Sequence, residues 1–386
     1  MSELTEATRN TLSKPAQDLI YLASCAVKNE TPDKEKCAEM DLQALYSFAQ
    51  YHTMLSVTAH ALEKVTELPH AFDQAKKKAI RKLSLFEVER IKIFAALEQN
   101  GIWYLPLKGI VLKSCYPKAS MREMSDNDIL CDGSKMDVVK SVMEELGYTC
   151  DEYEHDNHDV YSKPPTLEFE MHRLLFSNRR KTKLSDYYAD ISDRLLKTTA
   201  NGFERRMSDE DFYIYLLAHM YTHYSNVGTG FRALLDIYVY NRKYRGKMDE
   251  DYLSRELEKL ELNEFEQMVR TLSHKLFTAQ ELSADELHEL EYFENSGSKG
   301  TIENRLYNGM SQNLGGDDSS KSKRKYLLKR IFISGDSLRN QYPTVYKHKA
   351  LYPLLFIIRP FKGVITHPKG IITEIKRIKR FKIKEE

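Results

Sequence analysis

The sequence predicts an α+β fold in which a small mixed sheet is flanked by helical regions. Apolar residues recur at helical spacing before residue 100 and again after residue 208, while the segment between them carries the short alternating runs typical of strands. At 386 residues the chain exceeds one ordinary core, which suggests several packed units. Hydrophobic residues make up 41% and charged residues 30%, with only 16 Gly and 11 Pro, so a disordered or collagen-like chain is excluded.

Residues 1–100 are predicted to form an N-terminal helical region. Apolar side chains recur there at helical spacing in two stretches, Leu42, Leu45, Tyr46, Ala49 and then Leu83, Phe86, Ile91, Phe94, Leu97. Asn100 and Gly101 follow the second stretch, and this pair is typical of the end of a helix.

Residues 101–200 are predicted to form an α/β core. Strand-like runs occur there as WYLPL, DNDILC, YTCDEY, DVYS and TLEFEMH. A short helix is expected over Ile110–Tyr116, and a longer one over Met136–Leu146 with Gly147 at its end.

The remaining chain is predicted to contain a helical domain, a linker and a C-terminal region. Helical spacing returns over residues 201–294, in Phe212 to Ala218, Phe231 to Tyr240 and Tyr252 to Phe277. Residues 295–325 are rich in Gly, Ser and charge and are expected to be a flexible linker. Residues 326–386 form the C-terminal region.

The near-neutral net charge of +1 hides a basic tail. The last 28 residues hold nine Lys or Arg against three Glu, a net +6, which leaves −5 for the other 358 residues. Such a tail is able to contact polyanions. The alternative stays open that Ile371, Ile375, Ile378 and Phe381 form an apolar helix stripe that docks on the protein itself, and we favour this docking.

Cysteine usage and the N-terminus predict a cytoplasmic protein. The five Cys residues are scattered and include no CxxC pair, so we expect reduced thiols and no structural zinc site. The opening MSELTEATRN lacks the basic and apolar parts of a secretory signal. No apolar run reaches the roughly 18–20 residues that a membrane span requires.

The chemistry is concentrated between Leu105 and His172. Gly109 stands where a strand turns into a helix, a position that allows close approach of a phosphate. Asp126 and Asp128 are two residues apart on the next strand and therefore share one face. Such a pair is more often a turn or a solvated edge. Its place between the Gly turn and an acidic strand instead favours binding of a divalent cation, which would neutralise the repulsion.

A third carboxylate comes from the strand that ends in Glu170-Met171-His172. Alternation places Glu168, Glu170 and His172 on one face of this strand. If the strand lies beside that of Asp126, Glu170 completes a three-carboxylate cluster that could hold two Mg²⁺ or Mn²⁺ ions for phosphoryl or nucleotidyl transfer.

The sequence resembles the bacterial uncharacterised nucleotidyltransferases of the polymerase-β superfamily. The resemblance covers roughly residues 40–290. Its motifs are Lys108-Gly109, Arg122-x-Met124-x-Asp126-x-Asp128-Ile-Leu, Leu146-Gly147-Tyr148, Glu170-Met171-His172, His219-x-x-x-His223 and Gly228-x-Gly230-Phe-Arg232-Ala-Leu-Leu-Asp236.

This resemblance implies a polymerase-β-like nucleotidyltransferase sheet with Asp126, Asp128 and Glu170 as metal ligands and catalytic residues. Gly109 would lie against the triphosphate. The superfamily pattern usually has Gly-Ser at the start of the helix, whereas this chain has Lys108-Gly109. Lys108 or Arg122 would then balance the phosphate charge.

Two helical motifs have structural as well as functional interpretations. His219 and His223 are four residues apart, but Met220 replaces the Glu of zinc peptidases, so a structural pair is expected. Arg232 and Asp236 could form an ion pair within one helix, or Arg232 could contact phosphate. His155 and His158, in an acidic hairpin, are assigned no role.

The sequence thus predicts a cytoplasmic enzyme that transfers a nucleoside monophosphate from an NTP to an acceptor hydroxyl. The acceptor could be a protein, an RNA, a sugar or a small molecule. A non-catalytic nucleotide-binding or regulatory protein remains the alternative, favoured by the missing Ser and opposed by the carboxylate trio. Transfer to a nucleic acid, such as a tRNA end, would rest on the basic tail alone.

Overall fold

The computed structural model of the protein describes residues 4–311, except 155 and 180, together with 345, 347 and 348. The basic tail and nearly all of the predicted C-terminal region lie outside the described residues.

The N-terminal region is helical up to Gln99, as the sequence predicts. Its helices are α1 (Glu6–Thr11), α2 (Lys14–Lys28), α3 (Lys34–Ala38), α4 (Leu42–Tyr51), α5 (Leu55–Leu62) and α6 (His70–Gln99). The side chains of Thr5, Asp33 and Asp41 accept backbone N–H groups at the starts of α1, α3 and α4. Gly101 follows α6 with φ +63°, which confirms the predicted helix end.

One residue of the predicted α6 stripe faces solvent. Ile91 is 71% exposed, whereas Phe86, Ile93 and Leu97 are fully buried. Five residues rotate a side chain by about 140° around a helix, so Ile91 cannot share the face of Phe86. The buried face instead contains Phe86, Ile93 and Leu97, which follow one another at intervals of seven and four residues.

A five-stranded mixed sheet forms the α/β core. Its strands are β1 (Tyr104–Pro106), β2 (Asn127–Cys131), β3 (Thr149–Glu152), β4 (His158–Lys163) and β5 (Leu167–His172), in the order β1-β2-β5-β4-β3. Strands β2 and β5 pair in parallel and the other neighbours are antiparallel. The helices of the core are α7 (Lys108–Leu112), which continues as a 3-10 turn to Cys115, α8 (Met136–Glu145) and α9 (Lys183–Tyr187). The α+β class with flanking helices is therefore confirmed.

The C-terminal half of the described chain is helical. After a two-stranded ribbon of β6 (Leu196–Lys197) and β7 (Arg205–Arg206) come α10 (Asp209–Tyr224), α11 (Phe231–Tyr244), α12 (Glu250–Leu260), α13 (Asn263–Thr278), α14 (Ala284–Ser296) and α15 (Ile302–Ser311). The end of α14 and all of α15 lie inside residues 295–325, the segment expected to be a flexible linker, so residues 302–311 are helical. Residues 312–325 of that segment lie outside the described residues.

The two faces of the sheet meet different surroundings. One face carries Ile129, Phe169 and Met171 and packs with residues of α6 and α8 in one apolar cluster. Leu130 points to the other face and belongs to a larger cluster that includes Tyr215 of α10. The period of two along β2 and β5 thus places the acidic residues on the face toward the C-terminal helices.

Across the part of the chain that the structure describes, every helix is too short or too polar to cross a membrane.

Candidate active site

Three carboxylates converge on one face of the sheet. The parallel register of β2 and β5 places Asp128 opposite Glu170. Asp126 precedes β2, and Glu168 lies two residues before Glu170 on β5. Carboxylate oxygens of Asp126, Glu168 and Glu170 lie within 4.8 Å of one another. The face therefore concentrates negative charge at one point.

The pKa of Asp126 reflects the convergence of these carboxylates. Burial, followed by repulsion from Asp128 and Glu170, raises the pKa of Asp126 to about 6, although Lys108 and Arg232 oppose the rise. Burial and like charges both disfavour the ionised form of Asp126, and a bound cation would oppose both effects. The cluster is thus suited to receive a cation.

Asp128 has a different environment, because two donors already hold it. Lys108 Nζ lies 2.6 Å and His172 Nε2 3.2 Å from Asp128 Oδ1. Burial alone would raise the pKa of Asp128, but Lys108 and His172 together hold it well below its usual range. The charge of Asp128 in turn raises the pKa of Lys108 despite the burial of the ammonium group. Asp128 and Lys108 form a charged pair inside the site.

The backbone at Lys108 explains how its side chain reaches Asp128. Lys108 begins α7 directly after β1 and has φ +41°, in the left-handed region that favours glycine. The turn therefore keeps the conformation that Gly would adopt, and it adds a cationic side chain that points to Asp128.

Gly109 is buried and faces a guanidinium group. A Cβ atom added at Gly109 would lie 2.5 Å from Arg122 Nη1 and 3.2 Å from Met124 Cε. Arg122 thus fills the space that a side chain at position 109 would need. The absence of a side chain there permits the close approach of Arg122.

Arg122 is held by Asp236 on α11. Its Nε and Nη2 atoms donate to the two carboxylate oxygens of Asp236 at 2.9 and 3.0 Å, and Tyr116 donates to the same carboxylate at 2.8 Å. The charge of Asp236 raises the pKa of Arg122 despite burial. The ion pair within α11 that the sequence suggested is therefore wrong, because Asp236 pairs with Arg122 and not with Arg232.

Arg232 is the cation that remains available. Among the described residues it has no ion pair, and its Nη1 donates only a long hydrogen bond of 3.5 Å to the carbonyl of Glu123. Burial and the neighbouring Arg122 lower the pKa of Arg232, while Asp126 contributes in the opposite sense. A guanidinium with spare donors beside a cation site is a suitable phosphate contact.

Two histidine pairs lie near the carboxylates. The rings of His158 and His172 are 4.8 Å apart, and both Nε2 atoms face Glu170 Oε2. His219 and His223 contact each other on α10, with 3.3 Å between their Nε2 atoms. Burial and Lys108 lower the pKa of both His219 and His223.

The structure thus brings together most of the predicted site residues and adds others. Asp126, Asp128, Glu170 and Lys108 share one face, while Arg122 and Gly109 contact each other beside it. Sequence reasoning assigned no ligand role to Glu168 and no role to His158. Alternation along β5 already pointed to Glu168, whereas His158 depends on the register of β4 against β5, which places it opposite His172.

The donor set fits a divalent cation. Carboxylate oxygens are the ligands that Mg²⁺ and Mn²⁺ prefer, and Asp126, Glu168 and Glu170 offer one each within the same small volume.

A separate cavity of about 550 Å³ lies between α11 and α13. None of the predicted site residues lines it. Arg245 and Arg270, two of its cations, are both paired with Glu266. It is not part of the acidic face.

The acidic sheet face thus has oxygen donors that fit a divalent cation, with the cationic side chains of Lys108 and Arg232 beside it. The profile of a family described as uncharacterised nucleotidyltransferases matches residues 38–278, more than half of the chain. The chain therefore belongs to this family, whose description indicates nucleotidyl transfer. No curated protein and no solved structure matches the chain significantly.

Proposed function

We propose that the protein is a Mg²⁺- or Mn²⁺-dependent enzyme that transfers a nucleoside monophosphate from an NTP to an acceptor hydroxyl, on a polymerase-β-like sheet. The observation that supports this proposal is the convergence of the Asp126, Glu168 and Glu170 carboxylates within 4.8 Å. The family membership agrees with it.

Asp126, Asp128 and Glu170 would hold the metal, with Glu168 as a further oxygen ligand. The bound ion supplies charge stabilisation at the phosphoryl oxygens and lowers the pKa of the acceptor hydroxyl. Glu170 lies in the middle of this group and would accept the proton of that hydroxyl.

Lys108 and Arg232 would neutralise the triphosphate. The ammonium group of Lys108 lies 2.6 Å from Asp128 and could exchange that carboxylate for a phosphate oxygen. Arg232 has no ion pair among the described residues and lies near enough to Asp126 to affect its pKa. Arg122 would act as a positioning residue, because Asp236 already holds its guanidinium in place.

The reaction balances without a further co-reactant. The acceptor oxygen forms a bond to the α-phosphorus, and the bond from that phosphorus to the bridging oxygen breaks. Pyrophosphate leaves with the electron pair, and the acceptor proton passes to Glu170. The helical half, which contributes Arg232, lies on the same side as the acidic face and would help to select the acceptor.

The test is incubation of the full chain with each labelled NTP and a cell extract, with and without Mg²⁺. We expect label in one macromolecule or small molecule, in a Mg²⁺-dependent manner, and loss of transfer in Asp126→Asn and Glu170→Gln. Glu145→Gln, an exposed change on α8 across the sheet, is the matched control and should keep full transfer. Transfer that survives Asp126→Asn and Glu170→Gln would exclude the assigned site.

A non-catalytic nucleotide-binding protein is the second candidate, and the Lys108–Asp128 pair favours it. An ammonium group at 2.6 Å occupies one oxygen of a predicted metal ligand. Calorimetry of ATP with and without Mg²⁺ separates the two functions. Mg²⁺-dependent ATP binding without release of pyrophosphate, for any extract, would favour the binding protein.

A further inference from the structure

His158, Glu170 and His172 form a second ligand cluster beside the carboxylates. His158 begins β4 and lies directly opposite His172 near the end of β5. The Nε2 atom of His158 is 3.7 Å and that of His172 is 3.4 Å from Glu170 Oε2. All three ligand atoms lie within 4.8 Å of one another.

These separations match the ligand shell of a small transition-metal ion. Metal–nitrogen and metal–oxygen bonds of about 2.0–2.2 Å in a tetrahedral shell place neighbouring ligand atoms about 3.3–3.6 Å apart. The two Nε2–Oε2 distances are already close to that value, and the three ligand atoms lie within 4.8 Å of one another. Asp128 Oδ1 lies 3.2 Å from His172 Nε2 but already accepts a hydrogen bond from Lys108, so the fourth coordination position is left to solvent.

We propose that His158, Glu170 and His172 bind a divalent transition-metal ion of the Zn²⁺ or Co²⁺ type. Two imidazoles with one carboxylate select borderline metals, because Mg²⁺ strongly prefers oxygen ligands. This ion would be distinct from the Mg²⁺ or Mn²⁺ ion that Asp126 and Glu168 would hold. Glu170 would lie between the two ions. The site does not require that the protein transfers nucleotides.

The surroundings of His158 support a ligating role. Its other ring nitrogen, Nδ1, lies 3.3 Å from Asn157 Oδ1. Donation from Nδ1–H to this oxygen leaves the lone pair of Nε2 facing Glu170, which is the arrangement usual for metal-binding histidines. The His158 side chain is 26% exposed, so an ion can enter from solvent.

Without a bound ion, the hydrogen on His172 Nε2 lies between the ligand atoms where the ion would bind. Asn157 Nδ2 lies 3.4 Å from His172 Nδ1, so the hydrogen on Nε2 points to Asp128 and Glu170. This N–H joins the two carboxylates as a metal ion would. Metal binding would replace that hydrogen and release it as a proton.

The experiment is a Co²⁺ titration of the full-length protein after treatment with a chelator and without any nucleotide. We expect one bound equivalent with the visible absorption of four-coordinate Co²⁺, displaced by equimolar Zn²⁺ but not by excess Mg²⁺. His158→Gln and His172→Gln should each weaken Co²⁺ binding by at least about 10-fold. His158 is half-buried, so its variant remains informative if His172→Gln does not fold.

His223→Gln is the matched control, because His223 lies near the same carboxylates but outside the cluster. It should leave both the absorption and the affinity unchanged. The proposal is overturned if Co²⁺ does not bind, if Mg²⁺ displaces it, if His158→Gln binds it with unchanged affinity, or if His223→Gln removes it. Absence of labelled-NTP transfer with intact Co²⁺ binding would instead contradict only the proposed function.

Discussion

At the scale of the residue, the two aspartates that the sequence presents as equivalent differ in their surroundings. Asp128 accepts hydrogen bonds from Lys108 and His172, whereas burial and like charges raise the pKa of Asp126. Removing the charge of Asp128 should therefore destabilise the folded protein, whereas removing the charge of Asp126 should stabilise it.

Asp128→Asn should destabilise the metal-free protein. The change leaves the buried ammonium of Lys108 without its main counter-charge and gives the Nε2–H of His172 a weaker acceptor. The Lys108 side chain is 20% exposed, so solvent partly screens the unpaired charge. We therefore expect a loss of about 2–4 kcal/mol in the free energy of unfolding. Urea denaturation at neutral pH measures it, with Asp126→Asn as the control. A stability equal to that of the wild type would show that the charged pair contributes nothing.

Asp126→Asn should stabilise the metal-free protein at neutral and higher pH. The pKa of Asp126 in the folded protein, about 6, lies above the ordinary 3.8. The protonated carboxyl group therefore stabilises the folded protein fully below the ordinary pKa, and this stabilisation is lost as the pH rises through 6. As the pH rises from about 5 to about 8, we expect the free energy of unfolding of the variant to increase by about 1–2 kcal/mol relative to that of the wild type.

Denaturation of both proteins across this pH range, after removal of metal, tests the prediction. Excess Mg²⁺ should stabilise the wild type at the upper end of the range but not the variant. A stability difference that does not change with pH would mean that Asp126 keeps an ordinary pKa in the folded state.

The residues that sequence reasoning found are those whose placement is local. Asp126, Asp128 and Glu170 could be predicted because side chains alternate along a strand. The partner of Arg122 could not, because Asp236 is 114 residues away and the pairing depends on how α11 packs on the core. Lys108 was recognised as a cation, but its contact with Asp128 depends on a backbone conformation that Lys rarely adopts.

At the scale of the element, the turn from β1 into α7 couples the sheet to α11. Gly109 allows the Arg122 guanidinium to lie against α7, and Arg122 reaches Asp236 from there. Strands and long helices were predictable from periodicity. The register of β4 on β5, which pairs His158 with His172, was not, because it depends on the hairpin that joins the two strands.

Gly109→Ala tests this coupling. The new Cβ atom would lie 2.5 Å from Arg122 Nη1, so the guanidinium must move and weaken its pair with Asp236. We expect a net loss of about 1–3 kcal/mol in the free energy of unfolding, although Ala favours a helix more than Gly does. In an Arg122→Met background the same change should cost less than half as much. An equal cost in both backgrounds would mean that Arg122 does not fill this space.

At the scale of the whole molecule, the helices at the two ends of the described chain share one core. The largest apolar cluster includes Leu19 and Leu22 of α2 together with Leu272 and Leu276 of α13, and the second cluster lies on the other face of the sheet. Ser24 Oγ also donates to the carbonyl of Phe277 at 3.1 Å. The sequence predicts separate helical regions at residues 1–100 and 201–294, and periodicity alone could not show that they pack together.

Leu272→Ala should therefore loosen α2 as well as α13. Leu272 is fully buried, and its truncation should cost about 2–4 kcal/mol. Because α2 and α13 belong to one cooperative core, we expect amide hydrogen exchange to accelerate in both helices by a similar factor. Ile93→Ala is the control, since Ile93 lies in the second cluster and should accelerate exchange mainly in α6, α8 and the sheet. Faster exchange confined to α13 in Leu272→Ala would show that the two helical regions open independently, as separate domains would.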